Sequence, residues 1–78
     1  MLPPDVALHA RPAGVFVREA SRFTSSIAVA ANGKRANAKS ILEVLGLGAE
    51  GGTELRISAS GDDADQALAT LAELVPQL

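Results

Sequence analysis

His9 is the only histidine in the chain, and Arg11 and Pro12 follow it closely. Imidazole is the one side chain that titrates near neutrality without help from its surroundings. Proline is favoured at the first position of a helix, so Arg11-Pro12 reads as a helix start. A helix N-terminus offers unpaired amides and a partial positive charge, and so attracts anions. A nucleophilic imidazole, free amides and a guanidinium together suit a phosphoryl group. The ring would take it as a covalent phosphoramidate, and the donors would hold its oxygens. No second histidine stands nearby to assist hydrolysis, and Asp5 is the only acid close in sequence. A carrier needs that absence more than an enzyme does. The same residues also suit an ordinary surface histidine at a loop–helix junction, and their spacing alone does not separate the two.

Ser40 carries a second chemical possibility. As an N-cap it would contribute about 1 kcal/mol, with Glu43 three residues on completing a capping box. A phosphate there would bring nearly two negative charges to a helix end that tolerates them. Lys39 beside it reads as a solvated side chain. The helix after Ser40 is short enough that Val44 and Leu47 fill its buried positions. Part of the Ile41, Leu42 and Leu45 set would then be exposed as a partner surface. The alternative, that all three are core, stands beside it. Two constellations fail. Residues 46–52 are glycine-rich but lack the Gly-Lys-Ser/Thr ending of a phosphate loop. Asp62, Asp63 and Asp65 lack the rest of a calcium loop and read as acids at a helix start. No metal site or cofactor is expected.

The elements that would position these groups follow from periodicity. Ala13, Phe16 and Ala20 recur at helical spacing, predicting a helix from Pro12 to Ser21 or Arg22, with Phe23 continuing the spacing. Ser26 to Ala31 alternates as a half-buried strand. Asn32-Gly33 is a strong hairpin signal, because a type I′ turn needs positive φ at both positions. Lys34 to Asn37 is the partner strand. A short helix from Ile41 ends at Gly46 or Gly48. Gly51-Gly52 turns the chain into a strand from Thr53 to Ser60. Gly61-Asp62-Asp63 opens a last helix, whose stripe is Ala64, Ala67, Leu68, Leu71, Leu74 and Val75, and Pro76 stops it. Val6, Ala7 and Leu8 could form a short first strand, restricted by Pro3-Pro4. The order (β)αββαβα is an α+β open-faced sandwich with helices over one face of the sheet.

Composition sets the outer limits. A chain of 78 residues is one small domain, residues 1–78, and its 47% apolar and 21% charged composition is globular. There is no cysteine, hence no disulfide and no thiolate metal site. A net charge of −2 argues against a nucleic-acid partner. The first residues resemble no signal peptide, and no apolar run is long enough to span a bilayer, which points to a cytoplasmic protein without membrane insertion.

The ordered motifs resemble one family. Leu8-His9-Ala10-Arg11-Pro12-Ala13 is similar to the active-site segment of HPr, the histidine-containing phosphocarrier of the phosphoenolpyruvate-dependent sugar phosphotransferase system. Asn37-Ala38-Lys39-Ser40-Ile41-Leu42 resembles that family's regulatory serine segment. Leu45-Gly46-Leu47-Gly48-Ala49 and Ala59-Ser60-Gly61-Asp62-Asp63-Ala64 also fit, so the likeness runs from about residue 6 to 75. The resemblance implies that His9 accepts a phosphoryl group on Nδ1 from enzyme I and passes it to enzyme IIA domains. It implies that Arg11 steadies the group and that the amides of Ala10 and Arg11 bind its oxygens. Ser40 would be the target of an HPr kinase/phosphorylase in lineages that have one. Arg18, Ile41, Leu42 and Leu45 would dock partners, a catabolite-control regulator among them. The implied fold is a four-stranded antiparallel sheet under three helices.

Two departures accompany the likeness. Few residues precede His9, so the first edge strand is expected to be short or missing. Its neighbour, Thr53–Ser60, would then be open to pairing with another chain, with lower stability or some dimerisation. Gly14 stands where alanine is commoner, at a cost under about 1 kcal/mol. A regulatory binding module controlled through Ser40, and an HPr-like domain of a fused or nitrogen-type phosphotransferase, are the alternatives to a sugar-system carrier. The intact His-x-Arg-Pro favours the carrier over the regulatory module.

Overall fold

The computed structural model describes residues 10–49 and 52–78. Its elements are α1 (Ala10–Ala20), β1 (Ser26–Ala31), β2 (Lys34–Asn37), α2 (Ile41–Leu45), β3 (Arg56–Ser60) and α3 (Ala64–Leu74), with a closing 3₁₀ turn over Val75–Gln77. The strands form an antiparallel sheet in the order β2-β1-β3 among the described residues. The expected first strand, residues 6–8, lies outside them.

β1 alternates because it is covered on one side only. Ile27, Val29 and Ala31 are buried under the helices, whereas Ser26, Ala28 and Ala30 look away from them. Asn32 and Gly33 have φ of 54° and 75°, the left-handed pair that a type I′ hairpin demands. Register follows from that turn: Ala31 faces Lys34 and Val29 faces Ala36. On the other side Ile27 faces Ala59 and Val29 faces Ile57. Asn32 also ties the hairpin tip to the end of α2, its Nδ2 donating to the Leu47 carbonyl at 3.3 Å.

Phe16, Val29, Val44, Leu71 and Val75 are the large fully buried apolar side chains of the core, and alanines of helix and strand fill in between. Phe23 follows the helical spacing but lies beyond α1, half-buried against that core. Boundaries differ from expectation at both ends of α1, which stops at Ala20 short of Ser21 or Arg22, and at β3 and Pro76. α1 starts at Ala10 rather than Pro12, because the first four amides of any helix lack internal acceptors and tolerate proline throughout. β3 begins at Arg56 rather than Thr53 among the described residues. Leu55 before it is buried without belonging to the ladder. Pro76 ends the α-helix but sits inside the 3₁₀ turn, since its fixed φ suits both geometries.

Asp63 is placed as the N-cap of α3 yet makes no side-chain cap bond. Its carboxylate instead accepts from the amides of Thr24 and Ser25, each at 2.9 Å, and from the Ser25 hydroxyl. These donors, the Ser25 hydroxyl foremost, hold its pKa at about 2, well below the usual carboxylate value. A depressed pKa in the folded state means stability that is present above about pH 4 and lost as pH falls through 4 toward 2. Asp63→Asn is therefore expected to lower the urea midpoint at pH 7 and to flatten the fall in stability between pH 4 and 2. An equally steep acid limb in the variant would refute the assignment.

Candidate functional site

α1 carries the first group of candidates. Its early start leaves the amides of Ala10 and Arg11 without intrahelical acceptors, Pro12 having none to offer. His9 precedes α1 by one residue in the sequence and lies outside the described residues. Arg11 and Arg18 are exposed. With Gly14 they recur at spacings of three and four, so all three share one face of α1, away from the buried Ala13, Phe16 and Ala20.

α2 packs against that face. A Cβ built on Gly14 would lie 3.9 Å from Ile41 Cδ1, an ordinary contact. Ile41 thus abuts α1 between Arg11 and Arg18. Val44 and Leu47 take the buried positions, at 0% and 2% exposure, and leave Ile41 at 40% and Leu42 at 80%. A side chain as apolar and as open as Leu42 gains nothing for the isolated fold. Leu45 is half-buried against the core and offers only part of its surface. Because Gly14 has room for a methyl and sits inside a helix, Gly14→Ala is expected to raise stability by about 0.5–1 kcal/mol. Chemical denaturation would show it as a higher midpoint at unchanged slope.

Ser40 starts α2 as its N-cap, with extended backbone, and its hydroxyl accepts from the Glu43 amide at 3.4 Å. Only half of the expected capping box forms. Glu43 Oε1 accepts from the Asn37 amide at 3.1 Å, while the Ser40 amide donates to the Asn37 carbonyl. Asn37 Oδ1 in turn accepts from the Lys39 amide at 2.9 Å, a local side-chain turn. Lys39 is not the free side chain expected: its Nζ donates to the Phe23 carbonyl at 2.6 Å. The strap before Ser40 is therefore anchored to the loop after α1. No local pattern announces this bond, because the partners are 16 residues apart.

Asp62 and Asp65 are exposed, and the Asp63 carboxylate is occupied by Thr24 and Ser25, which accounts for that acidic run structurally.

The geometry has close counterparts. A family model described as PTS HPr component phosphorylation site matches residues 4–77. The chain belongs to the HPr family. The phosphocarrier protein HPr of Mycoplasma capricolum is 48% identical over 68 residues, which cover 87% of this chain and 76% of that protein. The HPr-like protein Crh of Bacillus subtilis is 46% identical over 70 residues, covering 90% of this chain and 82% of Crh. The crystal structure of HPr-C-His from Thermoanaerobacter tengcongensis superposes with a TM-score of 0.89 at 42% identity, covering 95% of this chain and 83% of that one. The open-faced α+β architecture is thus that of HPr. The phosphocarrier class and the link to the phosphotransferase system follow from membership. No helix among the described residues is long and apolar enough to cross a membrane.

Proposed function

We propose that this member of the HPr family is a carrier in the cytoplasm that takes a phosphoryl group from enzyme I on His9 and yields it to enzyme IIA domains. The observation that carries the reading is the matched phosphorylation-site family together with a lone histidine one residue before a helix whose leading amides have no intrahelical acceptor. Arg11 neutralises the group, and the amides of Ala10 and Arg11 hold its oxygens at the positive end of α1. In the transfer a P–O bond or the donor's P–N bond breaks as the His9 Nδ1–P bond forms. The donor leaves with the electron pair. Ile41 and Leu42, with Arg18 and the open part of Leu45, dock the partners. The test is intact-mass spectrometry after incubation with enzyme I and phosphoenolpyruvate, at neutral or alkaline pH. One added phosphoryl group, lost on brief acid treatment, is the expected result. A folded protein that gains no such mass would overturn the reading.

The likeness to Crh supports a regulatory layer on the same surface, acting through Ser40. Phosphate on Ser40 sets negative charge next to Ile41 and Leu42 and repels an acidic partner. Ser40→Asp, itself a good N-cap, is expected to leave stability within about 0.5 kcal/mol and to lower kcat/KM for phosphorylation by enzyme I about tenfold. Ser40→Ala should do the reverse, costing about 1 kcal/mol of stability with unchanged transfer. Equal kinetics for Ser40→Asp and wild type would remove the coupling.

A further inference from the structure

The sheet face turned away from the helices carries its own pattern. Ala30 of β1 faces Arg35 on β2 and Arg56 on β3. Residues directly opposite on neighbouring strands point to the same side, so the two arginines flank one methyl group. Two strand spacings separate their backbones, about 10 Å. Between them lies a depression of about 120 Å³ lined by Ala28, Ala30, Arg35, Arg56, Ile57 and Ser58. It runs on along β1 into a concavity of about 700 Å³ that shares Arg35 and reaches Ser26 and Ser60.

Charge is distributed unevenly as well. Residues 26–37 and 53–60 hold Lys34, Arg35 and Arg56 against Glu54 alone, a balance of +2 in a chain whose net charge is −2. Among the described residues the ion pairs are Arg22–Glu19 and Arg56–Glu54, so Arg35 has no acid of its own. The Arg56–Glu54 pair is exposed on both sides and is cheap to exchange for another carboxylate.

We propose that this open face docks an extended acidic segment of a partner protein, with Arg35 and Arg56 each clamping one carboxylate. An open depression gives a small anion few contacts, whereas a chain segment laid across the strands from β2 to β3 meets both arginines. In a polyproline II conformation residues i and i+3 lie on one side about 9 Å apart, which matches the spacing of the arginines. Guanidinium binds carboxylate in a two-pronged geometry that Lys34 could not supply. The docking leaves α1 and α2 free, so a partner could hold the carrier on one face while phosphoryl transfer proceeds on the other. This goes beyond the carrier reading and does not depend on His9.

The test is an NMR titration of the whole ¹⁵N-labelled protein at low salt. The probe is a synthetic peptide of repeating Glu-Pro-Pro, with Gln-Pro-Pro and inorganic phosphate as controls. Expected are shifts confined to residues 28–30, 35–37 and 56–58, absent with the glutamine peptide and weakening as salt rises. Arg35→Ala/Arg56→Ala, on two exposed positions, should weaken binding at least fivefold while leaving the rest of the spectrum in place. Shifts that centre on Arg11 and Arg18, an unchanged affinity in the double variant, or an equal response to phosphate would each overturn the proposal. So would a concentration-dependent self-association that the double variant abolishes, since the acceptor would then be a second copy. Phosphorylation of His9, measured separately, is expected to be unchanged in the double variant.

Discussion

His9→Ala is expected to abolish the acid-labile phosphoryl adduct completely, while Arg11→Ala keeps it and forms it about a hundredfold more slowly. The two outcomes differ because the two residues would do different work. In the proposed transfer a nitrogen of the His9 imidazole would become bonded to phosphorus, and the chain has no second histidine to replace it. Arg11 would only stabilise charge on the phosphoryl oxygens as the group passes from donor to acceptor. Removing one such donor from a prepared site costs about 10²–10³ in rate, not the reaction itself. The amides of Ala10 and Arg11 would remain, since they are backbone groups held by α1. Time-resolved intact-mass measurements on both variants, beside wild type, separate the roles. An adduct of the same stability on His9→Ala would move the acceptor elsewhere. Equal rates for Arg11→Ala would leave the anion held by the helix start alone.

Much of this arrangement is written locally. Asn32-Gly33 dictates its hairpin because few other dipeptides adopt two successive left-handed residues, and the register of β1 and β2 follows. Alternation in β1 marks the covered face because helices lie on one side only. The exposure of Leu42 follows from a helix of five residues that already has Val44 to bury. What could not be read is what depends on distant partners. The alternation from Thr53 to Ser60 gives no sign of where the ladder with β1 begins, so its start at Arg56 left no mark in composition. Lys39 looks solvated until the fold brings the Phe23 carbonyl to it. Asp63 has the position of a helix cap, but donors 38 and 39 residues away take its carboxylate. For the site the division is similar. The His-x-Arg-Pro motif and the serine are visible in the chain, whereas the approach of Ile41 to Gly14, which brings α2 onto the arginine face, needs the packed helices.

A close approach at the N-terminal end of α3 carries the largest expected loss of stability: Gly61→Ala should lower the unfolding free energy by about 3 kcal/mol. Two independent effects point the same way. Gly61 has φ of 144°, where an L side chain meets its own backbone. A Cβ there would also fall 2.7 Å from Ser25 Oγ and 2.8 Å from Ser25 Cα. The hydroxyl could not simply swing aside, because Ser25 is buried and bonded to Asp63 through both its amide and its side chain. Relief of the clash would have to move the start of β1 away from α3 and so stretch the bonds that hold Asp63. The damage should therefore extend to pH dependence: the variant should lose stability less steeply between pH 4 and 2 than wild type, because its Asp63 would no longer be held so far below the ordinary carboxylate pKa. Urea unfolding at pH 7 and along that acid range reads both effects. A loss below about 1 kcal/mol would mean that the junction of β1 and α3 yields easily and that Gly61 is there for backbone freedom alone. A full loss with the wild-type acid slope would mean that strain at Gly61 and the Asp63 latch act separately.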